Sequence, residues 1–540
     1  MLKLSVFLYF ALYEVSSEDP VITISNGKIR GISAHSSLNN LTYYAYMGIP
    51  FATPPVGNLR FKPPQPVENW AGILDTKNNE VTCYQTDRYD KHETEDCLYL
   101  NVYTTVGPMN NTKLPVIMFI YGGTFVHGHA PYGHKDPVFV IEKGVLMVTF
   151  NYRVGPFGFL STGDTVIPGN MGLKDQQLAL KWVQKNIQFF GGDPAKVTLM
   201  GQSAGAASVT YQILSPGSRG LFRAAIANSG SALCTWAHQR NAVETAYGIA
   251  AEIDPSFSRN RSSADLLEFL LSVDAESISK TYDRFTVFAP VIEEPHEGAI
   301  ISDVMYETVE KGDINRVPLL IGINSEEEIN KAANIDSLIS KSVKYDEDPK
   351  LIVDDDMYIE DGDEKLAIGE SIRGIYTNGL FQDDIGKTVQ YSSDNRFTKA
   401  VIKFAELQSH YTDVYFYQFS YHGLMGNNTV SLDGVGKVAH AEDQKYFWAR
   451  YDDYQEFPRS DMMTLDRYVT LLTNFAKCLN PTPEKRDLFD NVLWPKVSED
   501  VYYYLDIDTN ITVQHNPRNT SYYKWVDIFE KYVPKPFISF

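Results

Sequence analysis

Lys196-Val197-Thr198-Leu199-Met200-Gly201-Gln202-Ser203-Ala204-Gly205-Ala206 is the stretch on which the fold turns. Val197 to Met200 is an apolar, partly β-branched run opened by Asp193-Pro194, the pattern of a buried parallel strand. Ala204, Ala206, Ala207, Val209, Tyr211 and Ile213 then read as a helix with a small-residue face that can press against a sheet. Between the two stands Gly-x-Ser-x-Gly. A strand that turns sharply into a helix crowds its own backbone, so a β-carbon at Gly201 or Gly205 would clash while Ser203 sits strained and exposed. Ser203 is the candidate nucleophile. Alone, the pattern arises by chance in roughly one of five chains this long, given ordinary Gly and Ser usage. Its surroundings strengthen it: Leu173, Leu180, Val183, Ile187 and Phe190 fall at helical spacing upstream, and Gly191-Gly192 stand where that helix would stop. Helix, strand, turn and helix in this order predict an α/β fold, with a mostly parallel central sheet and helices on both faces.

The chain has 540 residues and no Pro/Ser-rich linker, so residues 18–540 read as one catalytic domain. Lys3, the apolar run Leu4 to Tyr13 and the small residues Ser16-Ser17 resemble a secretory signal peptide over residues 1–17, with Glu14 an awkward residue near its end. Asn40, Asn110, Asn260, Asn427, Asn510 and Asn519 each open an N-glycosylation acceptor triplet, which fits a secreted chain. There is no second long apolar run and no hydrophobic tail before Pro536-Phe537-Ile538-Ser539-Phe540, so no membrane anchor is expected. A formal net charge of −20 argues against nucleic acid or an anionic membrane surface as a partner. Asp354-Asp355-Asp356 and Asp361-Gly362-Asp363-Glu364 lack EF-hand spacing and read as solvated loops, with no metal expected. No dinucleotide, Walker, His-Glu-x-x-His or Cys-x-x-Cys pattern occurs, so the chemistry is expected from side chains, without a cofactor.

Four cysteines are few for a secreted chain of this size, so a core rather than a disulfide framework should stabilise it. Cys83 and Cys97 are near enough in sequence to close a short loop, a bridge worth about 3 kcal/mol. Cys234 and Cys478 could pair, although free buried thiols are the default reading.

A serine hydroxyl is a poor nucleophile at neutral pH and needs a histidine base, an acid that fixes the histidine, and donors for the oxyanion. Leu114 to Ile120 reads as a strand running into Tyr121-Gly122-Gly123-Thr124-Phe125, where bare N–H groups could face a pocket; a plain glycine turn is the alternative. Val317 to Asn324 is another buried-type strand with Ser325-Glu326-Glu327-Glu328 at its carboxyl end, the edge where open α/β sheets build sites. These glutamates would also suit a helix N-terminus. Several histidines compete as the base; His440 follows the aromatic strand Val414 to Phe419, within Gly434-Val435-Gly436-Lys437-Val438-Ala439-His440-Ala441-Glu442-Asp443. A late loop histidine completes the order Ser, acid, His of α/β-hydrolases.

With these residues together, the chain resembles the type-B carboxylesterases, among them cholinesterases, insect esterases and juvenile-hormone esterases. The likeness runs from about Gly27 to beyond Trp494. It is carried also by Gly48-Ile49-Pro50-Phe51-Ala52-Thr53-Pro54-Pro55-Val56-Gly57-Asn58-Leu59-Arg60-Phe61, Glu95-Asp96-Cys97-Leu98-Tyr99-Leu100-Asn101-Val102, Asn151-Tyr152-Arg153-Val154-Gly155, Asn228-Ser229-Gly230-Ser231 and Thr473-Asn474-Phe475-Ala476-Lys477. The resemblance implies Ser203 as nucleophile, Glu327 as the acid, His440 as base and then acid, the Gly122, Gly123 and Ala204 region as oxyanion donors, and Ser229 as a partner of the glutamate. The family's Gly-x-Asn-x-x-Glu is what selects Glu327. The resemblance also implies structural ion pairs Arg60 with Glu95 and Arg153 with Asp175, and the bridge Cys83 to Cys97.

Two departures bear on efficiency. Thr124 stands where the family usually has glycine or alanine, and a lost oxyanion donor costs about 2.7 to 4 kcal/mol. Lys437 replaces a glycine, with Gly436 displaced by one. The short loop between Cys83 and Cys97 holds Tyr84 and Tyr89 but no tryptophan, which argues against a choline ester, since such sites depend on cation-π contact. Gln202, neutral beside the serine, together with Arg60-Phe61 and Asp175-Gln176, is similar to juvenile-hormone esterases and suits an uncharged lipophilic ester. A xenobiotic, dietary or pheromone carboxylesterase is the alternative. A binding protein of the same fold that lacks turnover is the competing class, disfavoured because Ser203, Glu327 and His440 are all present.

Overall fold

The computed structural model describes residues 19–36, 40–85, 92–108, 110–130, 137–281, 287–449 and 456–540. The expected signal peptide and Tyr89 lie outside them. The apolar runs that read as buried strands pair side by side. Leu146–Phe150, Leu114–Ile120, Gly192–Gln202, Ala224–Asn228, Leu319–Asn324, Val414–Phe419 and Tyr503–Ile507 form a parallel array in that order. Antiparallel strands close both ends: Tyr99–Thr104, Thr42–Pro50 and Ile32–His35 on one side and Ile511–His515 on the other, giving an eleven-stranded sheet. The central strands are buried on both faces, which is why they read as continuous apolar runs and not as alternating ones.

Helices Met171–Asn186, Ala204–Leu214, Lys399–Ser409 and Arg459–Cys478 supply the covering layers. The first of these continues as a 3-10 turn, Ile187–Phe190, and stops at Gly191 with φ +79°, the left-handed conformation expected of a helix-ending glycine. The strand before Ser203 begins earlier than its apolar core, at Gly192, and a register irregularity between Gly192 and Val197 accommodates Pro194.

Cys83 and Cys97 are bridged. Arg60 grips Glu95 through two nitrogens at 2.6 and 2.7 Å and donates to the carbonyls of Leu270 and Val273. Arg153 holds Asp175 in the same two-pronged way at 2.8 and 2.7 Å, with both side chains buried. These pairs tie loops to the core, as the resemblance implied. Cys234 and Cys478 do not pair: Cys234 is a buried thiol, but Cys478 is exposed at a helix end, with its thiol against the carbonyl oxygens of Asn474 and Asn480. The default of burial therefore fails for Cys478. The reading of Asp354-Asp355-Asp356 as a solvated loop also needs correction. Asp355 is exposed, whereas Asp356 is buried, paired with Arg240 and accepting from the Ser539 hydroxyl near the chain end. The six sequon asparagines are all exposed.

Candidate active site

The strand Gly192–Gln202 ends on Gln202, the helix Ala204–Leu214 begins at Ala204, and Ser203 alone makes the turn, at φ +57° and ψ −124°. Packing leaves no room for larger neighbours. A β-carbon on Gly201 would lie 2.3 Å from the Gly205 carbonyl oxygen, and one on Gly205 would lie 2.1 Å from that of Ile120. The clash read from the sequence is present at both positions. The Ser203 N–H donates to Asn228 O at 2.9 Å, which pins the turn to the neighbouring strand.

From this perch Ser203 Oγ meets His440 Nε2 at 2.8 Å, and His440 Nδ1 meets Glu327 Oε2 at 2.7 Å. Glu327 is fully buried, and its other oxygen accepts from the Asn324 N–H at 2.7 Å. A carboxylate on Nδ1 places the imidazole proton there and leaves the Nε2 lone pair toward the hydroxyl. The His440 N–H also donates to the Glu327 carbonyl, at 3.0 Å, so the loop bearing the histidine is fastened to the loop bearing the acid. Of the neighbouring glutamates, Glu326 turns to Arg518 and Glu328 to Lys331 and Arg396.

The loop after Leu114–Ile120 lies beside the serine. Gly123 has φ +128°, and a β-carbon there would meet the His127 carbonyl oxygen at 2.1 Å, so the loop requires glycine. Ala204, as first residue of its helix, has an N–H with no intrahelical acceptor. Thr124 adopts φ +53°, an uncommon conformation for a β-branched residue, and turns its hydroxyl back onto Gly123 O at 2.8 Å. Lys437 is exposed, and its carbonyl accepts from Asn428 Nδ2 at 2.7 Å. Gly436 takes the crowded place instead: a β-carbon there would lie 2.6 Å from Ser325 O.

Ser229 is buried with φ +56°, but its hydroxyl has no hydrogen-bond partner among the described residues, so the contact with Glu327 implied by the resemblance is not made. Glu327 is held instead through Asn324, whose side-chain amide donates to Ala439 O at 2.8 Å and reaches Asp443 Oδ1 at 3.3 Å. Asp443 in turn accepts from Tyr468 and Asn228, at 2.6 and 3.2 Å. This polar network fixes the histidine loop. Sequence reasoning quoted Asn228, Asn324 and Asp443 inside longer strings without giving them a role. Phe397, whose ring centroid lies 4.4 Å from that of His440, gives no signal in the sequence, and Gln202, singled out there for its neutrality, also brings its Nε2 to 3.3 Å from His440 Nε2.

Ser203, His440, Glu327, Gln202, Gly122 and Gly123 line a cavity of about 680 Å³, with Phe119, Trp236, Phe397 and Trp448 as its aromatic walls. The model of the carboxylesterase family matches residues 18–525. The chain belongs to the carboxylesterase family. Among its relatives, venom carboxylesterase-6 of Apis mellifera is 32% identical, covering 98% of this chain and 99% of that protein. A juvenile hormone esterase of Tribolium castaneum is 31% identical over 86% of this chain and 84% of its own length. A crystal structure of juvenile hormone esterase from Manduca sexta, with OTFP covalently attached, superposes with a TM-score of 0.83 at 29% identity, covering 95% of this chain and all of that one. The chain is thus a carboxylic ester hydrolase with the α/β-hydrolase fold.

Proposed function

We propose that Ser203 is the nucleophile of this carboxylesterase, His440 its general base and then acid, and Glu327 the group that orients and steadies the imidazolium. The observation that carries this reading is the unbroken chain Ser203 Oγ to His440 Nε2 at 2.8 Å and His440 Nδ1 to Glu327 at 2.7 Å, in the wall of a cavity. As Ser203 Oγ attacks the ester carbonyl, its proton passes to Nε2, and the carbonyl oxygen takes on charge facing the N–H groups of Gly122, Gly123 and Ala204. His440 returns the proton to the leaving alcohol, and water then cleaves the acyl-serine by the same sequence reversed in roles. Donors fixed in advance by the loop and the helix start stabilise the developing oxyanion without reorganising. No cofactor enters these steps.

The substrate is a lipophilic ester that is uncharged around its scissile bond. The aromatic walls and the uncharged Gln202 beside the serine support this, as do the juvenile hormone esterases among the relatives. The exposed sequon asparagines support a secreted, glycosylated protein, with residues 18–540 acting as one catalytic domain. The deciding experiment compares kcat/KM for a sesquiterpenoid methyl ester and for 1-naphthyl acetate on secreted protein, with Ser203→Ala as control. Strong preference for the sesquiterpenoid ester makes this a hormone-degrading esterase. Preference for naphthyl acetate makes it a broad carboxylesterase, and the absence of Ser203-dependent turnover on both would overturn the catalytic reading.

A further inference from the structure

One face of the cavity is charged. Glu328 and Lys331 follow the acid Glu327, and Arg396 enters from a π-helical turn, Asp394–Thr398, that also brings Phe397 against His440. Such a turn inserts one extra residue per cycle and re-aims side chains, a device found frequently at functional sites. Here it puts a guanidinium on the cavity wall beside the ring that packs on the base.

Charge does not balance on this face. Glu328 pairs with Lys331 and, at 3.1 Å, with Arg396 Nε; Lys341 stands behind them, its ammonium 5.3 Å from the Tyr345 ring centroid. Among the described residues, Lys331, Lys341 and Arg396 thus share Glu328, and Arg396 also faces Asp354. Burial, and then repulsion from Lys341 and Arg396, push the Lys331 ammonium down to about 8 despite Glu328. Lys341 is lowered as well, first by burial. The other acids nearby have partners of their own: Glu327 has His440, Asp356 has Arg240, and Asp354 is divided among Lys399, Arg240 and Arg396. Arg396 and Lys331 keep 44% and 33% of their side chains exposed, so both are open to a ligand. The protein as a whole carries −20, which makes a local surplus of positive charge inside the ester cavity the more specific.

We propose that Arg396 and Lys331 make this face a specificity site for esters that carry an anionic group, a carboxylate in the first instance, at the end remote from the scissile bond. The aromatic walls would take the lipophilic body while the guanidinium and ammonium receive the anion. The inference rests on the reading of Ser203 as the nucleophile of an ester hydrolase. An anion placed there relieves cation-cation repulsion and gains charge-assisted hydrogen bonds, which are among the stronger polar contacts.

The test is the ratio of kcat/KM for 4-nitrophenyl hydrogen glutarate to that for 4-nitrophenyl pentanoate, which share a leaving group and nearly share a length. Wild-type protein should favour the glutarate hemiester by about tenfold or more, and the ratio should fall by about tenfold in Arg396→Gln and separately in Lys331→Met. Raising sodium chloride on the wild-type protein should lower the same ratio, which keeps the test independent of how the variants fold. Ser203-dependent turnover of both esters with a ratio near one, unmoved by salt and by either substitution, overturns the anion site alone. Loss of Ser203-dependent turnover on both overturns the catalytic reading, and the specificity with it.

Discussion

Two residues after His440, Glu442 is buried, takes the Ala439 N–H at 2.8 Å, and has its carboxyl pushed up to about 7, mainly by burial. Its ordinary value is 4.5, so between about pH 4.5 and 7 the folded chain holds a proton that the unfolded chain has released. Stability from this group is then greatest at low pH and is lost as pH rises through 7. Replacing it by Gln removes the titration but keeps an acceptor for Ala439. The melting temperature of Glu442→Gln relative to wild type should rise from pH 4.5 to 7 and level off above; a difference that is flat over this range would show that the carboxyl is not raised. Ser203, Glu327 and His440, which the structure brings into one hydrogen-bonded line, were legible as candidates in the sequence because each closes a strand or loop of recognisable pattern. Glu327 was singled out among three adjacent glutamates only by the family spacing, and the structure shows why its neighbours differ: their carboxylates turn to Arg518 and to Lys331 and Arg396.

At the scale of the element, the loop Tyr121 to Phe125 is the one proposed to hold the oxyanion. Thr124 and Phe125 both sit in the left-handed region, at φ +53° and +61°. A strained conformation of this kind costs of order 1–3 kcal/mol and is kept only where the surroundings enforce it. On the proposal that the N–H groups of Gly122, Gly123 and Ala204 hold the oxyanion, Thr124→Gly should change kcat by less than about tenfold. A gain of a hundredfold or more, the size of one restored donor, would show that threonine had turned a donor away. The strands flanking this loop were visible in advance as apolar runs, because a parallel sheet buried on both faces needs them. The π-helical turn at Asp394–Thr398 was not, since one inserted residue leaves the helical pattern of Ile385–Ser393 and Lys399–Ser409 nearly intact. The contact between Ser229 and Glu327 also misread the element. Asn324, at the end of the neighbouring strand, does that work with its backbone N–H.

For the whole molecule, the sheet carries the parts of the site on the carboxyl ends of separate strands, and long-range pairs hold the outer loops to it. The bridge Cys83 to Cys97 is one such tie. Its loss in a Cys83→Ala, Cys97→Ala double variant should lower the unfolding free energy by about 3 kcal/mol, read as a shift in the urea midpoint. An unchanged midpoint would show that the loop contributes nothing to the unfolded-state constraint. The succession of helix, strand, turn and helix around Ser203 was legible from sequence, whereas the charged face of the cavity was not. Lys331 and Arg396 are 65 residues apart, and only packing of the loop after Glu327 against the π-helical turn brings them to one carboxylate.

Active-site labelling by a fluorophosphonate, with the modified peptide mapped by mass spectrometry and residual hydrolysis of 1-naphthyl acetate followed in parallel, bears most directly on the central claim. One label per chain on Ser203, with hydrolysis lost in proportion and no label on Ser203→Ala, is the result that the geometry of Ser203, His440 and Glu327 requires. Hydrolysis that survives in Ser203→Ala, or labelling at another residue with activity lost, would contradict it.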